Sequence, residues 1–103
     1  MPQTRSKQPA ESRLFDMDFS PRLAEGETIS SVSSVTQQKV DTSSGARSAT
    51  SELTLGSASA SSQLAQVRIA AGLNGTMYVV TFIVATSLGN TVEAEGYLWV
   101  EDT

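Results

Sequence analysis

The 103-residue chain contains neither cysteine nor histidine. Without cysteine it forms no disulfide and offers no thiolate, and without histidine it lacks the commonest general base and metal ligand of proteins. The sequence also lacks the spacings typical of a phosphate-binding loop, a zinc site, an EF-hand or a serine nucleophile elbow. Its many Ser and Thr hydroxyls therefore have no ordinary partner to activate them. We predict a protein without catalytic activity, cofactor or tightly bound metal.

Charged and apolar residues are also scarce. Charged residues make up 17% of the chain and hydrophobic residues 39%, so one domain of this length buries only a thin core. The formal net charge of -4 argues against a non-specific nucleic-acid binder. No apolar run approaches the roughly 20 residues of a membrane helix, and the first residues lack the apolar segment of a secretory signal. Neither nucleic acid nor a membrane is an expected partner.

The longest apolar stretch covers residues 75–86. Its alternate residues fall on two faces, one with Tyr78, Val80, Phe82 and Val84 and the other with Met77, Val79, Ile83 and Ala85. Because both faces are apolar and rich in β-branched residues, the pattern predicts a central strand covered on both sides. A second strand at residues 91–100 follows after a short turn, which predicts a β-hairpin. The expected core residues are Phe15, Phe19, Tyr78, Phe82 and Leu98.

Residues 13–19 alternate between an apolar and a polar face, which predicts a half-buried strand. Phe15 and Met17 lie on the apolar face, and Asp16 and Asp18 lie on the polar one. Two aspartates on one face can indicate a metal site or an acid–base pair. We favour a solvated or partner-facing edge, because no third ligand is close to them in sequence.

The remaining segments are short and rich in Ser and Thr. Residues 29–36 carry an apolar residue at every third position, which favours a strand with a bulge over an amphipathic helix. The other expected elements are a long loop at residues 37–51 with a short strand near Lys39 and Val40, a short strand at residues 52–55, a Ser/Ala linker at residues 56–62 and an alternating strand at residues 63–71.

Six or seven short strands without helical periodicity predict an all-β fold, an immunoglobulin-like antiparallel β-sandwich. Tyr78 occupies a position where such folds often carry a corner tyrosine, whose hydroxyl bonds to nearby backbone. The absence of cysteine excludes the antibody-type variant. The expected division is an extended N-terminal arm at residues 1–12 and a sandwich domain at residues 13–103.

The arm carries almost no apolar side chain, so it cannot bury enough surface to order by itself. Arg5 and Lys7 outnumber Glu11 there, and Pro9 favours an extended backbone. Two interpretations remain open, a disordered terminus and an arm that orders only against a partner. We predict the second, in which the two cations meet another partner protein or an acidic face of the next copy, such as the face with Asp16 and Asp18 or that with Glu93 and Glu95.

The last strand places Tyr97 and Trp99 on the same face as Glu93 and Glu95. Aromatic side chains on the outward face of a strand indicate a contact surface. Alternatively, this face packs beneath a loop such as residues 37–51. The sequence leaves both interpretations open.

Four stretches of the chain, in the same order along the sequence, are similar to the motifs of one known family. Lys-Gln-Pro-Ala-Glu at residues 7–11 and Phe-Asp-Met-Asp-Phe at residues 15–19 are similar to a K-x-P-x-E arm and an F-D-x-D-F first strand. Leu-Ala-Glu-Gly-Glu-Thr-Ile at residues 23–29 is similar to an L-x-x-G-D-T-I turn. Residues 71–81 are similar to a G-x-x-G-T-x-Y-x-V-T stretch, and residues 92–100 to a closing strand. With these stretches the chain resembles the phage fiber-tail adaptor family, small virion proteins of tailed bacteriophages with an immunoglobulin-like sandwich.

The resemblance implies a structural protein of the virion tail that attaches fibers to the tail and is made in the cytoplasm of the bacterial host. The implied partners are the tail hub, adaptor or nozzle and the tail fiber proteins, with several copies forming a homo-oligomer. One open alternative is a capsid decoration or cement protein with the same sandwich. A carbohydrate-binding module ranks last, because it needs more exposed aromatic residues. The residues that we predict to bind partners are Arg5, Lys7, Pro9, Glu11, Asp16, Asp18, Tyr97 and Trp99.

Overall fold

The computed structural model describes the backbone of residues 3–101 and the side chains of residues 5–101, so residues 1 and 2 of the expected arm lie outside the described part. The strands are β1 (Gln3–Lys7), β2 (Arg13–Asp18), β3 (Ile29–Val40), β4 (Arg47–Ala49), β5 (Leu53–Leu55), β6 (Ser59–Ser61), β7 (Leu64–Ala71), β8 (Thr76–Thr86) and β9 (Thr91–Val100). A 3-10 helix at Ser20–Arg22 follows β2. Among these described residues, no helix is long and apolar enough to span a membrane.

The strands form two sheets that pack face to face. The five-stranded sheet has the order β1-β9-β8-β3-β4, and the four-stranded sheet has the order β2-β7-β5, with β6 also paired to β7. Strand β1 pairs in parallel with β9, whereas the other pairs are antiparallel. The prediction of an all-β sandwich is confirmed. The finer assignment, an immunoglobulin-like arrangement of the strands, stays a prediction.

Strand β8 lies in the middle of the five-stranded sheet, as the long apolar stretch predicts. It pairs with β9 over residues 76–85 and with β3 over residues 77–86. The core cluster consists of Met17, Phe19, Ile29, Leu53, Ala65, Val67, Ile69, Tyr78, Val80, Phe82, Val84, Leu98 and Val100. Four of the five expected core residues are in this cluster, and Phe15 packs against it while staying half-buried.

Strand β3 is longer than expected. It continues through residues 37–40, which include the short strand predicted near Lys39 and Val40. The predicted loop over residues 37–51 is therefore shorter than expected, and it is also interrupted by β4. The predicted linker at residues 56–62 likewise contains β6. These polar segments form strands because main-chain pairing with a neighbour stabilises them without an apolar pattern. Register shifts at Ile29/Ser31 and Val32/Ser34 confirm the predicted bulging of residues 29–36.

The Tyr78 side chain lies at the corner between β7 and β8. Its hydroxyl accepts a hydrogen bond from Leu73 N at 2.9 Å and donates one to Glu52 Oε1 at 2.7 Å. The predicted bond from this tyrosine to nearby backbone is therefore confirmed. Gly72 is required beside it, since its φ is 102° and a Cβ atom there would lie 3.0 Å from core side chains.

A buried carboxylate joins two turns at one end of the sandwich. Glu27, between β2 and β3, is 3% exposed. Its Oε1 accepts a hydrogen bond from Ala24 N at 2.9 Å, and its Oε2 accepts bonds from Thr86 Oγ1 at 2.5 Å and Asn90 Nδ2 at 2.9 Å. These bonds, with that from Thr86 foremost, lower the pKa of Glu27. The ionised carboxylate thus ties the first turn to the one between β8 and β9.

Replacing Phe82 with alanine tests whether β8 is the centre of the core. Because the ring is 3% exposed, we expect the free energy of unfolding to fall by about 3–5 kcal/mol. Urea denaturation followed by circular dichroism measures this change. The control is Leu88→Ala, whose side chain is 61% exposed and whose loss should change stability by less than about 0.5 kcal/mol. A change below about 1 kcal/mol for Phe82→Ala would contradict the buried position.

Replacing Glu27 with glutamine should lower the melting temperature at neutral pH. The folded-state pKa of Glu27 lies below its ordinary value of 4.5, so the carboxylate stabilises the fold above that pH and stops doing so as pH falls through the folded pKa. The difference in melting temperature between wild type and Glu27→Gln should therefore shrink below about pH 4.5. Glu25→Gln, an exposed carboxylate in the same turn, is the control. A difference that stays constant down to about pH 3 would reject this assignment.

Candidate partner-binding site

Strand β1 lies against β9, which corrects the expectation that the arm orders only in an assembly. Residues 3–7 pair in register with residues 96–100, and Glu101 N donates to the Lys7 carbonyl at 3.0 Å. The expectation failed because it counted apolar side chains. An edge strand is held mainly by main-chain hydrogen bonds, which a polar sequence forms equally well.

Lys7 is buried at the end of β1, with 3% of its surface exposed. Its Nζ donates hydrogen bonds to the carbonyls of Gln8 and Ala71, both at 2.6 Å, and of Pro9 at 3.3 Å. Burial lowers the pKa of Lys7, and the nearby Glu11 carboxylate acts in the opposite direction. The ammonium group therefore links β1 to the end of β7 and does not reach an outside acidic surface.

Arg5 meets the aspartate face of β2 within its own chain. Its Nη2 lies 3.2 Å from Asp16 Oδ1, and the two side chains are 48% and 45% exposed. The charge pairing that we expected between copies is thus present between two edge strands of one copy. An exposed pair of this kind contributes roughly 0.2–1 kcal/mol.

The other two predicted acidic residues, Asp18 and Glu11, stabilise turns by accepting hydrogen bonds from the main chain. Asp18 Oδ1 accepts a hydrogen bond from Ser20 N at 2.9 Å, which lowers the pKa of Asp18 and fixes the start of the 3-10 helix. Glu11 Oε1 accepts a bond from Gln8 N at 2.7 Å, and Glu11 N donates to the Gln8 carbonyl at 3.1 Å, so that Pro9 lies inside a closed turn. In the described part of the chain, no three carboxylates come close enough together to hold a metal ion.

The outward face of the five-stranded sheet carries Tyr97, and a distant arginine reaches it. Arg47 Nη1 lies 2.8 Å from Glu95 Oε2, and its Nη2 donates to Tyr97 Oη at 3.2 Å. The guanidinium carbon is 5.9 Å from the centroid of the Tyr97 ring, within the range of a cation–π contact. The Arg47 side chain, from residues 37–51, therefore covers part of this face.

Trp99 lies at one end of the same face. Its Nε1 donates to Glu101 Oε2 at 2.6 Å, which fixes the position of the indole. It pairs across the strands with Met77, which pairs with Val40, and all three are half-buried. We refer to this surface as the outer platform, and it consists of Val40, Arg47, Met77, Tyr97 and Trp99.

The sequence did not single out Arg47 as a member of this site. The arginine is 48 residues from Glu95 and 50 from Tyr97 along the chain, and it belongs to a segment that predicts a loop. One signal was available, since Arg47 is the single charged residue between Asp41 and Glu52. A lone cation in a Ser/Thr-rich segment does not by itself identify its partner.

Comparison with protein families shows where this chain belongs. A family model described as podophage GP4 fiber-tail adaptor protein gp77 matches residues 7–99. The chain belongs to this family. A comparison with curated proteins found no match.

Family membership confirms the resemblance carried by the four sequence stretches. The match runs from Lys7 to Trp99, so it contains seven of the eight predicted partner-binding residues and leaves out Arg5. It also contains Arg47 and the rest of the outer platform. Membership of a fiber-tail adaptor family implies a structural component of the podophage tail that associates with the tail and its fibers.

Replacing Lys7 with methionine should loosen β1 without unfolding the sandwich. The variant keeps a long side chain but leaves the carbonyls of Ala71 and Pro9 without their donor, so we expect faster hydrogen exchange at the β1 amides. Amides of β8 should keep their protection. Hydrogen–deuterium exchange with mass spectrometry measures both. Arg5→Met removes a half-exposed ion pair that contributes roughly 0.2–1 kcal/mol, so this matched variant should raise the exchange of β1 less than Lys7→Met does. Unchanged exchange in β1 of Lys7→Met would show that the ammonium group does not anchor the strand.

Proposed function

We propose that this chain is a non-enzymatic adaptor that attaches tail fibers to the podophage tail through its outer platform. The family match supports the adaptor role. The composition supports the absence of catalysis, because the chain has no histidine or cysteine to activate its hydroxyls. Its partners are tail and tail fiber proteins, and several copies act together on each particle.

The observation that carries the proposal is the fixed geometry of the outer platform. Trp, Tyr and Arg are the residue types that most often dominate the binding energy of protein interfaces. Here Arg47 is held by Glu95 and Tyr97, and Trp99 is held by Glu101. Side chains that are already fixed lose little conformational freedom when a partner binds, so more of the contact energy appears as affinity.

The chemistry of the platform fits a protein partner with an apolar patch and a polar rim. The row of Val40, Met77 and Trp99 offers apolar contact area, and aromatic residues can each bury about 150–250 Å². Glu101 follows directly after β9 and bonds to Trp99, and the ion pair of Arg47 with Glu95 lies at Tyr97. The apolar row therefore has charged groups beside it, as is usual in protein–protein contacts.

Phage particles assembled with Tyr97→Ala and Trp99→Ala adaptors test the proposal. Loss of one dominant interface residue costs about 2 kcal/mol or more, which weakens binding roughly thirtyfold. We therefore expect purified particles to lose most of their fibers, or the adaptor itself, in quantitative mass spectrometry. Leu88→Ala removes an exposed leucine from the turn between β8 and β9 and is the control.

Two results would count against the adaptor role. Full fiber and adaptor content in particles with folded Tyr97→Ala/Trp99→Ala protein would show that the platform is not the contact. A copy number that matches the capsid shell instead of the tail, with density for the protein on the shell, would favour the decoration role. Circular dichroism of each purified variant verifies that the sandwich is intact.

A further inference from the structure

Strand β1 is held in place by polar contacts. Its described side chains are Arg5, Ser6 and Lys7, and none of them is apolar. The strand is fixed by its main-chain pairing with β9, by the bond from Lys7 to the Ala71 carbonyl and by the ion pair of Arg5 with Asp16. Any other copy of the chain presents the same three partners, β9, the Ala71 carbonyl and Asp16, in the same geometry.

The position that β1 occupies needs to be filled. Beneath Arg5, the two sheets leave a shallow apolar hollow lined by Phe15, Met17, Ile69 and Leu98. Without a strand at this edge, the hollow and the open side of β9 would face water, with unpaired main-chain groups along β9. The structure therefore requires one β1 strand for each β9 strand, but a neighbouring copy can supply it.

The connection between β1 and β2 is short and is closed by one side chain. Residues 8–12 join strands that belong to different sheets, and the Glu11 carboxylate closes their turn on Gln8 N at 2.7 Å. Pro9 favours an extended backbone once this turn opens. Five extended residues span at most roughly 17 Å, so exchange requires a neighbouring copy within that reach. The Ala71 carbonyl accepts the hydrogen bond from Lys7, and the backbone of Ala71 has a φ of 62°, a conformation that is costly for a non-glycine residue.

We infer that β1 is exchanged between neighbouring copies of this chain, so that β1 of each copy pairs with β9 of the next. The exchanged form keeps the parallel pairing, the Lys7–Ala71 bond and the Arg5–Asp16 pair, now between two chains. Lys7 also keeps its bonds to the carbonyls of Gln8 and Pro9, because these two residues move together with β1. Copies held side by side have a high effective concentration, which favours exchange over the closed monomer. Exchange rests on the proposed function only in requiring neighbouring copies, and it does not depend on which face of the protein binds a fiber.

The lack of cysteine allows a direct test. Ser6 and Trp99 are paired residues on β1 and β9, and such positions are close enough for a disulfide. Purified full-length Ser6→Cys and Trp99→Cys chains are mixed at about 1 mM, a concentration typical of neighbouring modules, and oxidised. A mixed disulfide dimer, distinguished from the two homodimers by mass spectrometry, exceeds the level from random collision only if β1 of one chain lies on β9 of the other. We expect this dimer, with a yield that rises with concentration.

Two controls and one further variant make the result decisive. Ser6→Cys mixed with Ser33→Cys, an exposed position on β3, measures dimers from random collision, and the specific mixture should exceed it several-fold. Glu11→Ala in both chains opens the turn at residues 8–12 and should raise the yield further. The double variant Ser6→Cys/Trp99→Cys shows by its intrachain disulfide that the pair can form. If the double variant cross-links only within one chain, and the mixture gives no more dimer than the collision control, exchange does not occur.

Discussion

The hydrogen-bond ladders on both sides of β8 are the constraint on which the rest of the structure depends. This strand pairs over nearly its whole length with β9 and β3, and its inward side chains fill the middle of the core. Strand β8 supplies four of the thirteen residues of the core cluster, more than any other strand. Its neighbour β3 is largely Ser, Thr and Gln, and it needs only the ladder and a few inward valines such as Val32 and Val35.

Hydrogen bonds from polar side chains add to the stability that the thin core provides. Gln37 exchanges two hydrogen bonds with the main chain of Leu53, at 3.0 and 2.9 Å, and so joins β3 to the opposite sheet. Glu27, Tyr78 and Lys7 make similar connections at other margins of the sandwich. Among the described residues, every buried side-chain nitrogen or oxygen has a hydrogen-bond partner. Fully satisfied polar contacts of this kind fix one arrangement of the strands, because any other leaves buried groups unpaired.

This construction gives the small chain two different kinds of surface. The outer platform rests on β8 and β9, the best-supported part of the five-stranded sheet, so its aromatic side chains are presented on a rigid base. The edge formed by β1 and β2 is held by main-chain pairing, Lys7 and one exposed ion pair. A rigid face suits recognition of another protein, whereas an edge held by main-chain pairing suits contact between identical copies.

The sequence by itself determined the class of the fold and its central strands. Alternation of apolar and polar residues specifies which side of a strand is buried, so β2, β7, β8 and β9 could be predicted from local pattern, as could the corner role of Tyr78. Only the tertiary structure decided the place of β1 and β4, the burial of Lys7 and the meeting of Arg47 with Tyr97. Main-chain pairing leaves no trace in side-chain periodicity, and partners that lie 50 residues apart meet only after the intervening strands have set the register.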